Sequence, residues 1–241
     1  MRLADQTILI TGAAKRIGRS LALAAAREGA NIIIHHNQSP AEATDLQEQI
    51  RHLGKNACIY QSDFSSPLAV QEFAEKAFSS GPVDAVINNA SIFTDLKWDS
   101  TTAEDWTKHQ QINLLAPFLL SQSFARLLPP DKTGRIINLL DWRALRPGPD
   151  HLPYTISKAG LASLTKSLAV SLAPGITVNG IALGAILPPS DGGAVEDLIS
   201  SLPIPRWAEM EELEETLIFL LSGPAYITGE IIHLDGGRHL I

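Results

Sequence analysis

The sequence predicts an α/β fold in which about seven strands form a doubly wound parallel sheet with helices on both faces. Short runs of β-branched and apolar residues alternate with helical patterns along the chain. The first of these runs leads through a glycine-containing turn directly into a helical pattern. No linker interrupts the 241 residues, so residues 1–241 are expected to form one domain. Strands that alternate with helices are typical of βαβ units, whose strands are parallel.

Strands are predicted where short apolar runs are bounded by turn residues. These runs are residues 7–10, 31–35, 57–61, 84–88, 135–140, 177–181 and 230–234. Helical spacing of apolar residues predicts a helix starting near Ile17, two helical stretches within 101–128 that join near Pro117, and helices at 40–54, 67–80, 153–172 and 210–221. Residues 184–205 are rich in proline and glycine, and this loop is expected to influence substrate choice.

Composition and charge exclude several classes of protein. A net charge of −7 and a pI near 5.5 disfavour nucleic acid as the main partner, because that usually requires a concentrated basic face. Cys58 is the only cysteine, which excludes an internal disulfide and a multi-cysteine zinc site. The seven histidines lack ligand spacing, so no metal is expected. The sequence shows no export signal and no apolar run of membrane-spanning length, and a cytoplasmic protein is expected.

The turn after the first predicted strand has the sequence TGAAKRIG at residues 11–18. Backbone N–H groups and the helix dipole at such a turn can hold a pyrophosphate, and Gly12 and Gly18 would let the backbone approach it closely. An ordinary glycine-containing turn is the alternative. The position at the first strand-to-helix turn favours a dinucleotide.

The end of the second predicted strand indicates which dinucleotide is bound. Proteins that select NAD place an acid about 20 residues beyond the glycines, where it binds the ribose 2′-hydroxyl. The residues at this position are His35, His36, Asn37, Gln38 and Ser39. No acid occurs before Glu42, and the cations of Lys15 and Arg16 would suit the 2′-phosphate of NADP. The alternative is that both cations are merely solvated. NADPH is therefore preferred over NADH.

Tyr154 and Lys158 are four residues apart in a predicted helix and would share one face. A neighbouring ammonium favours the phenolate and lowers the pKa of a tyrosine, which suits proton transfer. The same spacing also occurs on solvated helix faces, so this pair alone does not establish catalysis.

Five motifs occur in a characteristic order along the chain. They are TGAAKRIG at residues 11–18, Asp63 after the third strand, the sequence NNAS at residues 88–91, Asn113, and YTISK at residues 154–158. In this order they resemble the short-chain dehydrogenase/reductase family over nearly the whole chain. The resemblance implies a Rossmann-type fold, and it also implies a homotetramer built on the long helices.

The resemblance implies roles for individual residues. It makes Tyr154 the proton donor, Lys158 the ligand of the nicotinamide ribose and the group that lowers the tyrosine pKa, and Asn113 the holder of a proton-relay water. Asp63 is expected to contact the adenine, and Asn89 to support the cofactor site. The implied cofactor-binding residues are Gly12, Lys15, Arg16, Ile17, Gly18, His36, Asn37, Gln38, Ser39, Asp63, Phe64, Asn89, Ala90, Ser91, Tyr154 and Lys158.

Three departures from the family pattern resemble its pteridine reductase branch. Arg16 replaces the second glycine of the turn, Ser91 replaces the glycine of Asn-Asn-Ala-Gly, and Asp141 stands where the family has a substrate-orienting serine. In that branch the serine and the aromatic residue two positions later, here Phe93, line the pterin site. The final segment DGGRHL at residues 235–240 is similar to that of dihydromonapterin reductases. One feature differs, because Leu183 occupies the position of the family's proline before glycine.

These residues suggest a reaction. Reduction of a C=N bond needs hydride from NADPH and a proton at the nitrogen, for which Tyr154 and Asp141 are the candidates. A carboxylate at this position would disfavour the oxyanion that develops during ketone reduction. The alternative is that Asp141 is a helix-capping or loop residue whose alignment with the serine position is accidental. Phe93 could form an aromatic platform, or it could simply anchor its loop in the core. The substrate-binding residues are expected to be Arg16, Ser91, Phe93, Asp141 and Tyr154.

Three functions remain open from the sequence. The first is NADPH-dependent reduction of a dihydropterin of the dihydromonapterin, dihydrobiopterin or dihydrofolate type. The second is a carbonyl reductase acting on 3-oxoacyl or sugar substrates, and the third is a catalytically idle NADP-binding protein. Trp142 has a modest claim on the substrate pocket, and Arg238 or His239 is expected to lie close to a neighbouring subunit's pocket in the implied tetramer.

Overall fold

The computed structural model describes residues 1–79, 81–187 and 199–241. Within them the sheet contains seven parallel strands. They are β1 Thr7–Ile10, β2 Asn31–His36, β3 Ala57–Gln61, β4 Ala85–Asn88, β5 Gly134–Asp141, β6 Ile176–Leu183 and β7 Ile231–Leu234. Their order in the sheet is β3-β2-β1-β4-β5-β6-β7. The predicted fold class is therefore confirmed. Ser80 and residues 188–198, half of the predicted loop 184–205, lie outside the described residues.

The helices cover both faces of this sheet. They are α1 Arg16–Arg27, α2 Pro40–His52, α3 Pro67–Ser79, α4 Ala103–Gln110, α5 Ala116–Leu127, α6 Leu152–Leu172 and α7 Met210–Ser222. A π-helical turn, Gln111–Leu115, joins α4 to α5. Pro117 lies in the first turn of α5 and lacks the N–H that would continue the helical hydrogen bonds from the π-helical turn. At the predicted join near Pro117, α4 and α5 are thus connected without a break by the π-helical turn.

Successive strand residues point to opposite faces and build two separate cores. Ile8 and Ile10 of β1 face the core beneath α1, α2 and α7, together with Leu21, Leu46 and Leu217 of those helices. Leu9 lies between them in sequence and faces the other core, with Phe73 of α3 and Phe124 of α5. A strand buried on both faces reads as a continuous apolar run, which is why these strands could be located from sequence.

The strand order places the chemically interesting residues along one edge of the sheet. The chain runs outward from β1 to β3 and then returns to β4 on the other side of β1, so the direction of winding reverses between β1 and β4. In open α/β sheets, ligands bind outside the carboxyl ends of the strands at such a point. The turn at Thr11, the segment at Asn89 and the β5 residue Asp141 all lie at these carboxyl ends.

The described residues contain neither a membrane-spanning helix nor a cluster of metal ligands. No described helix is both long enough and apolar enough to span a membrane. No group of three or more His, Cys, Asp or Glu side chains in the described part of the chain could hold a metal ion.

Candidate active site

A single hydroxyl joins the first strand-to-helix turn to the end of β4. Thr11 Oγ1 donates to the Ile87 carbonyl at 3.3 Å and accepts from the backbone N–H groups of Asn89 and Ala90, both at 2.9 Å. The Asn89 amide in turn donates to the carbonyl oxygens of Thr11 and Gly12 at 2.8 and 3.2 Å. These bonds hold the turn at the point where the winding reverses, and the support that Asn89 would give to a bound cofactor stays a prediction.

The turn leaves no room for a side chain at either glycine. Gly12 has a φ of 62°, and a Cβ there would lie 3.1 Å from Ala90 Cα. A Cβ on Gly18 would lie 2.2 Å from the Gly12 carbonyl oxygen. Helix α1 begins directly after this turn, and no side-chain hydrogen bond caps its start. Because the N–H groups of an uncapped helix start attract anions, the turn fits the pyrophosphate of a dinucleotide.

Arg16 adopts the kind of backbone that usually calls for glycine. Its φ is 49°, in the left-handed region, where a residue with a side chain pays about 1–2 kcal/mol. The side chain is exposed at the start of α1. Arg16 thus stands where the family usually has glycine, with a backbone conformation that suits glycine and with an added guanidinium.

His35, which sequence analysis did not assign to the site, holds this turn in place. Its Nδ1 accepts the Gly12 N–H at 3.0 Å, and its Nε2 lies 3.1 Å from the Ser62 carbonyl oxygen. These partners fit a neutral ring that carries its proton on Nε2. Burial lowers the pKa of His35 to about 4. The alternation of side chains along β2 could have indicated this role, because His35 points to the same face as the buried Ile33.

The polar residues expected near the NADP 2′-phosphate lie at the end of β2. Asn37 and Gln38 are exposed there. His36 is buried, and its Nδ1 accepts the Ser39 N–H at 3.4 Å. The two amides are therefore open to a ligand, whereas His36 shapes the start of α2.

The loop after β3 contains two residues assigned to the cofactor. Asp63 is exposed, and its carboxylate accepts the Ser65 N–H at 2.9 Å. The Phe64 ring is instead buried, stacked on His35 with ring centres 3.9 Å apart and in edge contact with Phe73. The Phe64 side chain thus supports this end of the site by packing against the histidine that holds the glycine turn.

Two cations beside the glycine turn form ion pairs with carboxylates of α2. Lys15 Nζ lies 2.7 Å from Glu42 Oε1, and Arg19 forms an ion pair with Asp45. Lys15 is therefore not simply solvated. Such surface pairs contribute only about 0–1 kcal/mol, so a phosphate could displace Glu42 from Lys15 at little cost.

Tyr154 and Asp141 form the central contact of the site. The Tyr154 hydroxyl donates to Asp141 Oδ2 at 3.0 Å, while Asp141 Oδ1 accepts the Arg143 N–H at 2.8 Å. Asp141 therefore caps the short 3₁₀-helix Trp142–Ala144 and holds the tyrosine at the same time. Burial, with a further contribution from this carboxylate, raises the pKa of Tyr154 well above its usual value. The expectation that the pKa of Tyr154 is lowered is wrong in direction.

Lys158 lies one turn after Tyr154 on α6, as the spacing predicted. Its Nζ is 5.8 Å from the centre of the tyrosine ring and donates to the Leu139 carbonyl at 2.7 Å. Burial lowers the pKa of Lys158 to about 8, although Asp141 acts in the opposite direction. The ammonium is directed toward β5, whereas the buried phenol contacts a carboxylate, so burial and then Asp141 raise the pKa of Tyr154.

Asn113 lies in the π-helical turn and braces the loop after β4. Its side chain accepts the Ile92 N–H at 2.9 Å and donates to the Ile92 carbonyl and to Ser157 Oγ, both at 3.0 Å. Ser157 Oγ donates to the Tyr154 carbonyl at 2.6 Å. This chain of bonds sets the loop position relative to the tyrosine. A water held at Asn113 stays a prediction.

Phe93 presents an exposed aromatic ring beside the tyrosine. The residue is 55% exposed, so the alternative that it anchors its loop in the core is wrong. Its ring stacks on His151 at 3.9 Å between centres and meets Tyr154 edge-on at 4.6 Å. Ser91, two residues earlier, is also exposed. An apolar ring at the edge of a polar cluster suits a flat ligand with polar edges.

The segment after β7 lies against its own chain. Arg238 Cζ is 3.9 Å from the centre of the Trp142 indole, and His239 Nδ1 is 2.9 Å from Asp235 Oδ2. Trp142 directly follows Asp141 in the chain, and its claim on the substrate pocket stays a prediction. The expectation that Arg238 or His239 lies close to a neighbouring subunit's pocket stays a prediction.

Leu183 and Gly184 mark the end of β6. Gly184 N–H donates to the Leu234 carbonyl at 2.9 Å, and a Cβ on Gly184 would lie 2.5 Å from Asp235 Cα. The glycine is thus required by its closeness to the segment after β7. The strand retains its pairing with β7 through Leu183 although the family's proline is missing.

Comparison with known proteins agrees with this architecture. Residues 12–239 match the family described as enoyl-(acyl carrier protein) reductase. The structure of FolM alternative dihydrofolate reductase 1 from Brucella canis, complexed with NADP, is 35% identical and superposes with a TM-score of 0.92, covering 100% of this chain and 97% of that one. A blue fluorescent protein from a metagenomic library, in complex with NADPH, is 32% identical with a TM-score of 0.92, covering 98% and 99% of the two chains.

One curated relative is named for a different substrate from that of the dihydrofolate reductase. The 3-oxoacyl-[acyl-carrier-protein] reductase of Synechocystis sp. is 31% identical over 240 residues, covering 98% of this chain and 97% of the relative. The family match, the near-complete coverage and the fold lead to one conclusion: the chain belongs to the short-chain dehydrogenase/reductase family.

Proposed function

We propose that this protein is an NADPH-dependent reductase of a dihydropterin, which it converts to the tetrahydropterin. The contact between Tyr154 and Asp141 carries the proposal, because a carboxylate here is suited to a substrate nitrogen. Reduction of a C=N bond passes through a nitrogen that gains positive character as it accepts a proton, and a nearby carboxylate stabilises that charge. Ketone reduction develops negative charge on oxygen, which the same carboxylate would repel.

The cofactor end supports NADPH. The turn around Gly12, the uncapped start of α1 and the amides of Asn37 and Gln38 would hold its phosphates, and Lys15 and Arg16 add positive charge. When bound, NADPH supplies the hydride. The two similar solved structures described above contain NADP or NADPH, which also favours this cofactor.

The proton would come from Tyr154. Its raised pKa keeps the phenol protonated at neutral pH, so it acts as a hydrogen-bond donor and a reserve acid. Asp141 orients the hydroxyl, and its second oxygen is fixed by the Arg143 N–H. The exposed face of Phe93 would hold the flat ring of the substrate next to this donor.

The second candidate function is reduction of a 3-oxoacyl thioester. Its support is the 3-oxoacyl reductase activity of the curated relative from Synechocystis. The two candidates are separated by steady-state assays of NADPH oxidation with dihydromonapterin, dihydrobiopterin, dihydrofolate and a 3-oxoacyl thioester. Turnover of the thioester with no turnover of any dihydropterin would reject the first candidate. Absence of turnover with all four, together with tight NADPH binding, would favour a catalytically idle protein.

We also propose a homotetramer built on α4, α5 and α6. An open apolar cavity of about 700 Å³ lies between these helices. Its lining combines apolar side chains, among them Trp106, Leu114, Phe118 and Leu164, with polar Thr, Gln and Ser residues. Apolar surface of this extent favours association. Light scattering coupled to size-exclusion chromatography would test it, and a mass near the 26.0 kDa of one chain would contradict it.

A further inference from the structure

A cluster of arginines surrounds the indole next to Asp141. Arg238 Cζ lies 3.9 Å from the centre of the Trp142 ring, and Arg143 Cζ lies 4.8 Å from it. Arg146 Nη1 donates to the Arg238 carbonyl at 3.2 Å. Two guanidinium groups from distant parts of the chain thus meet at one aromatic side chain, with a third bound to the backbone beside them, in a protein whose net charge is −7.

The three cations are not equally compensated. Arg143 forms an ion pair with Asp150 at 2.9 Å and lies 4.0 Å from Asp141 Oδ1. Within the described residues, Arg238 forms no ion pair with a carboxylate, although Asp141, Asp150 and Asp235 act on it at longer range. Burial lowers the pKa of Arg238, and Arg143 lowers it further. A partly buried guanidinium with cationic neighbours is stabilised by any anion that reaches it.

A cavity lies where such an anion would bind. It measures about 330 Å³ and includes Trp142, Arg146, Arg238 and Leu202 in its lining. Trp142 lines this cavity and directly follows Asp141 in the sequence. A substrate whose reacting ring lies at Tyr154 and Phe93 could therefore extend its side chain past Trp142 into the cavity.

We propose that Trp142, Arg146 and Arg238 form a subsite for an anionic group on the far end of the substrate. The indole would pack against the linking part of the side chain, and the guanidinium groups would bind a carboxylate or phosphate in the manner typical of arginine. On a dihydropterin, this group is the carboxylate of an aminobenzoyl-glutamate tail. On a thioester, it is a phosphate of the pantetheine arm. The first source rests on the proposed function, whereas the subsite itself does not.

The test compares matched substrates with and without the acidic group. The full chain is assayed with NADPH on dihydrofolate against dihydrobiopterin, whose side chain is neutral. It is also assayed on a 3-oxoacyl-coenzyme A against the N-acetylcysteamine thioester, which lacks phosphate. Arg238→Met removes the charge, Arg238→Lys keeps it, and Arg51→Met removes an exposed arginine from the last turn of α2 as a control.

We expect Arg238→Met to raise KM for the acidic member of the substrate pair about tenfold more than KM for its neutral partner. Arg238→Lys should recover most of this selectivity, and Arg51→Met should leave both KM values as in the parent. Raising the salt concentration should weaken the parent's preference for the acidic substrate and have little effect in Arg238→Met. A purely structural role for Arg238 would change both members of a pair alike, and that result would overturn the subsite.

A binding measurement keeps this test independent of turnover. The enzyme saturated with NADP is titrated with p-aminobenzoyl-glutamate and with coenzyme A by calorimetry. Binding of either one to the parent, weakened about tenfold in Arg238→Met, supports the subsite and identifies the source. If neither binds the parent, the subsite is rejected. If the fragments bind but no dihydropterin is reduced, the proposed function fails while the anionic subsite stands.

Discussion

The Tyr154 hydroxyl points at the carboxylate of Asp141, at a distance of 3.0 Å, and not at the ammonium of Lys158. Burial, with a further contribution from this carboxylate, raises the pKa of the phenol, which is the opposite of what the Tyr-x-x-x-Lys spacing alone suggests. The carboxylate of Asp141 therefore fixes the direction of the Tyr154 hydroxyl.

Replacing Tyr154 with phenylalanine tests the proton donor. The substitution removes one oxygen and keeps the ring that contacts Phe93, so NADPH binding should change little. Turnover should fall about 10²- to 10⁴-fold, the usual contribution of a positioned general acid. Stopped-flow measurement of NADPH oxidation and fluorescence titration of NADPH would report the two quantities separately. Full activity in this variant would remove the tyrosine from the mechanism.

Replacing Asp141 tests the preference for C=N over C=O. Asp141→Asn keeps an acceptor for the Arg143 N–H but removes the charge, and Asp141→Ser restores the hydroxyl usual in the family. Both variants should lose dihydropterin turnover by about tenfold or more, the scale of a charge-assisted hydrogen bond. Asp141→Ser should gain activity on a 3-oxoacyl thioester relative to the parent. An unchanged ratio of the two activities in both variants would contradict the assigned role.

The pH dependence of turnover should follow Lys158. Its pKa is lowered to about 8, so the ammonium is present below this pH and is lost as pH rises through it. The rate of reduction should therefore fall above about pH 8. The charge of Asp141 raises the pKa of Lys158, so Asp141→Asn should move this falling limb to lower pH. If the fall in rate stays at the same pH or moves to higher pH in Asp141→Asn, a group other than Lys158 controls it.

His35 should couple cofactor affinity to acid stability. In the unfolded chain its pKa is near 6.5, whereas burial lowers it to about 4 in the folded protein. The unfolded state thus binds the proton more readily, and stability falls as pH drops from about 6.5 to 4. At 1.36 kcal/mol per pKa unit, the difference of roughly 2.5 units corresponds to about 3 kcal/mol. Urea denaturation at several pH values should show this loss in the parent.

Two variants at position 35 separate the hydrogen bond to Gly12 from the titration of the histidine ring. His35→Asn can still accept the Gly12 N–H, whereas His35→Leu cannot. Both should lack the acid-induced loss of about 3 kcal/mol. Only His35→Leu should raise KM for NADPH strongly, with a smaller effect on kcat, because the glycine turn loses its support. Equal KM values for the parent and His35→Leu would show that the turn is held by its other bonds.

The fold could be predicted almost completely from the sequence. Strands buried on both faces, such as β1 and β5, read as continuous apolar runs, and the helices between them have clear helical spacing. Strand boundaries shifted by only a residue or two, as at Asp141, which was placed after the fifth strand and in fact closes it. The π-helical turn at Gln111–Leu115 could not be foreseen, because its residues keep a helical apolar pattern.

The site was less predictable than the fold. The residues that meet at Tyr154 come from β5, α6 and the loop after β4, and the motifs named them correctly as neighbours. The electrostatics could not be read from spacing, because the tyrosine pKa depends on which charge reaches the hydroxyl in three dimensions. His35 was missed as a support of the glycine turn because its partner, Gly12, is distant in sequence.

The backbone of Arg16 has a consequence for engineering this protein. A left-handed residue with a side chain is a liability of about 1–2 kcal/mol, and replacing it with glycine is a standard route to higher stability. A selection for thermal stability alone would therefore favour glycine at position 16. Such a selection would discard the guanidinium that distinguishes this turn from the common family pattern. Any stabilised version of the protein should be built with position 16 held fixed.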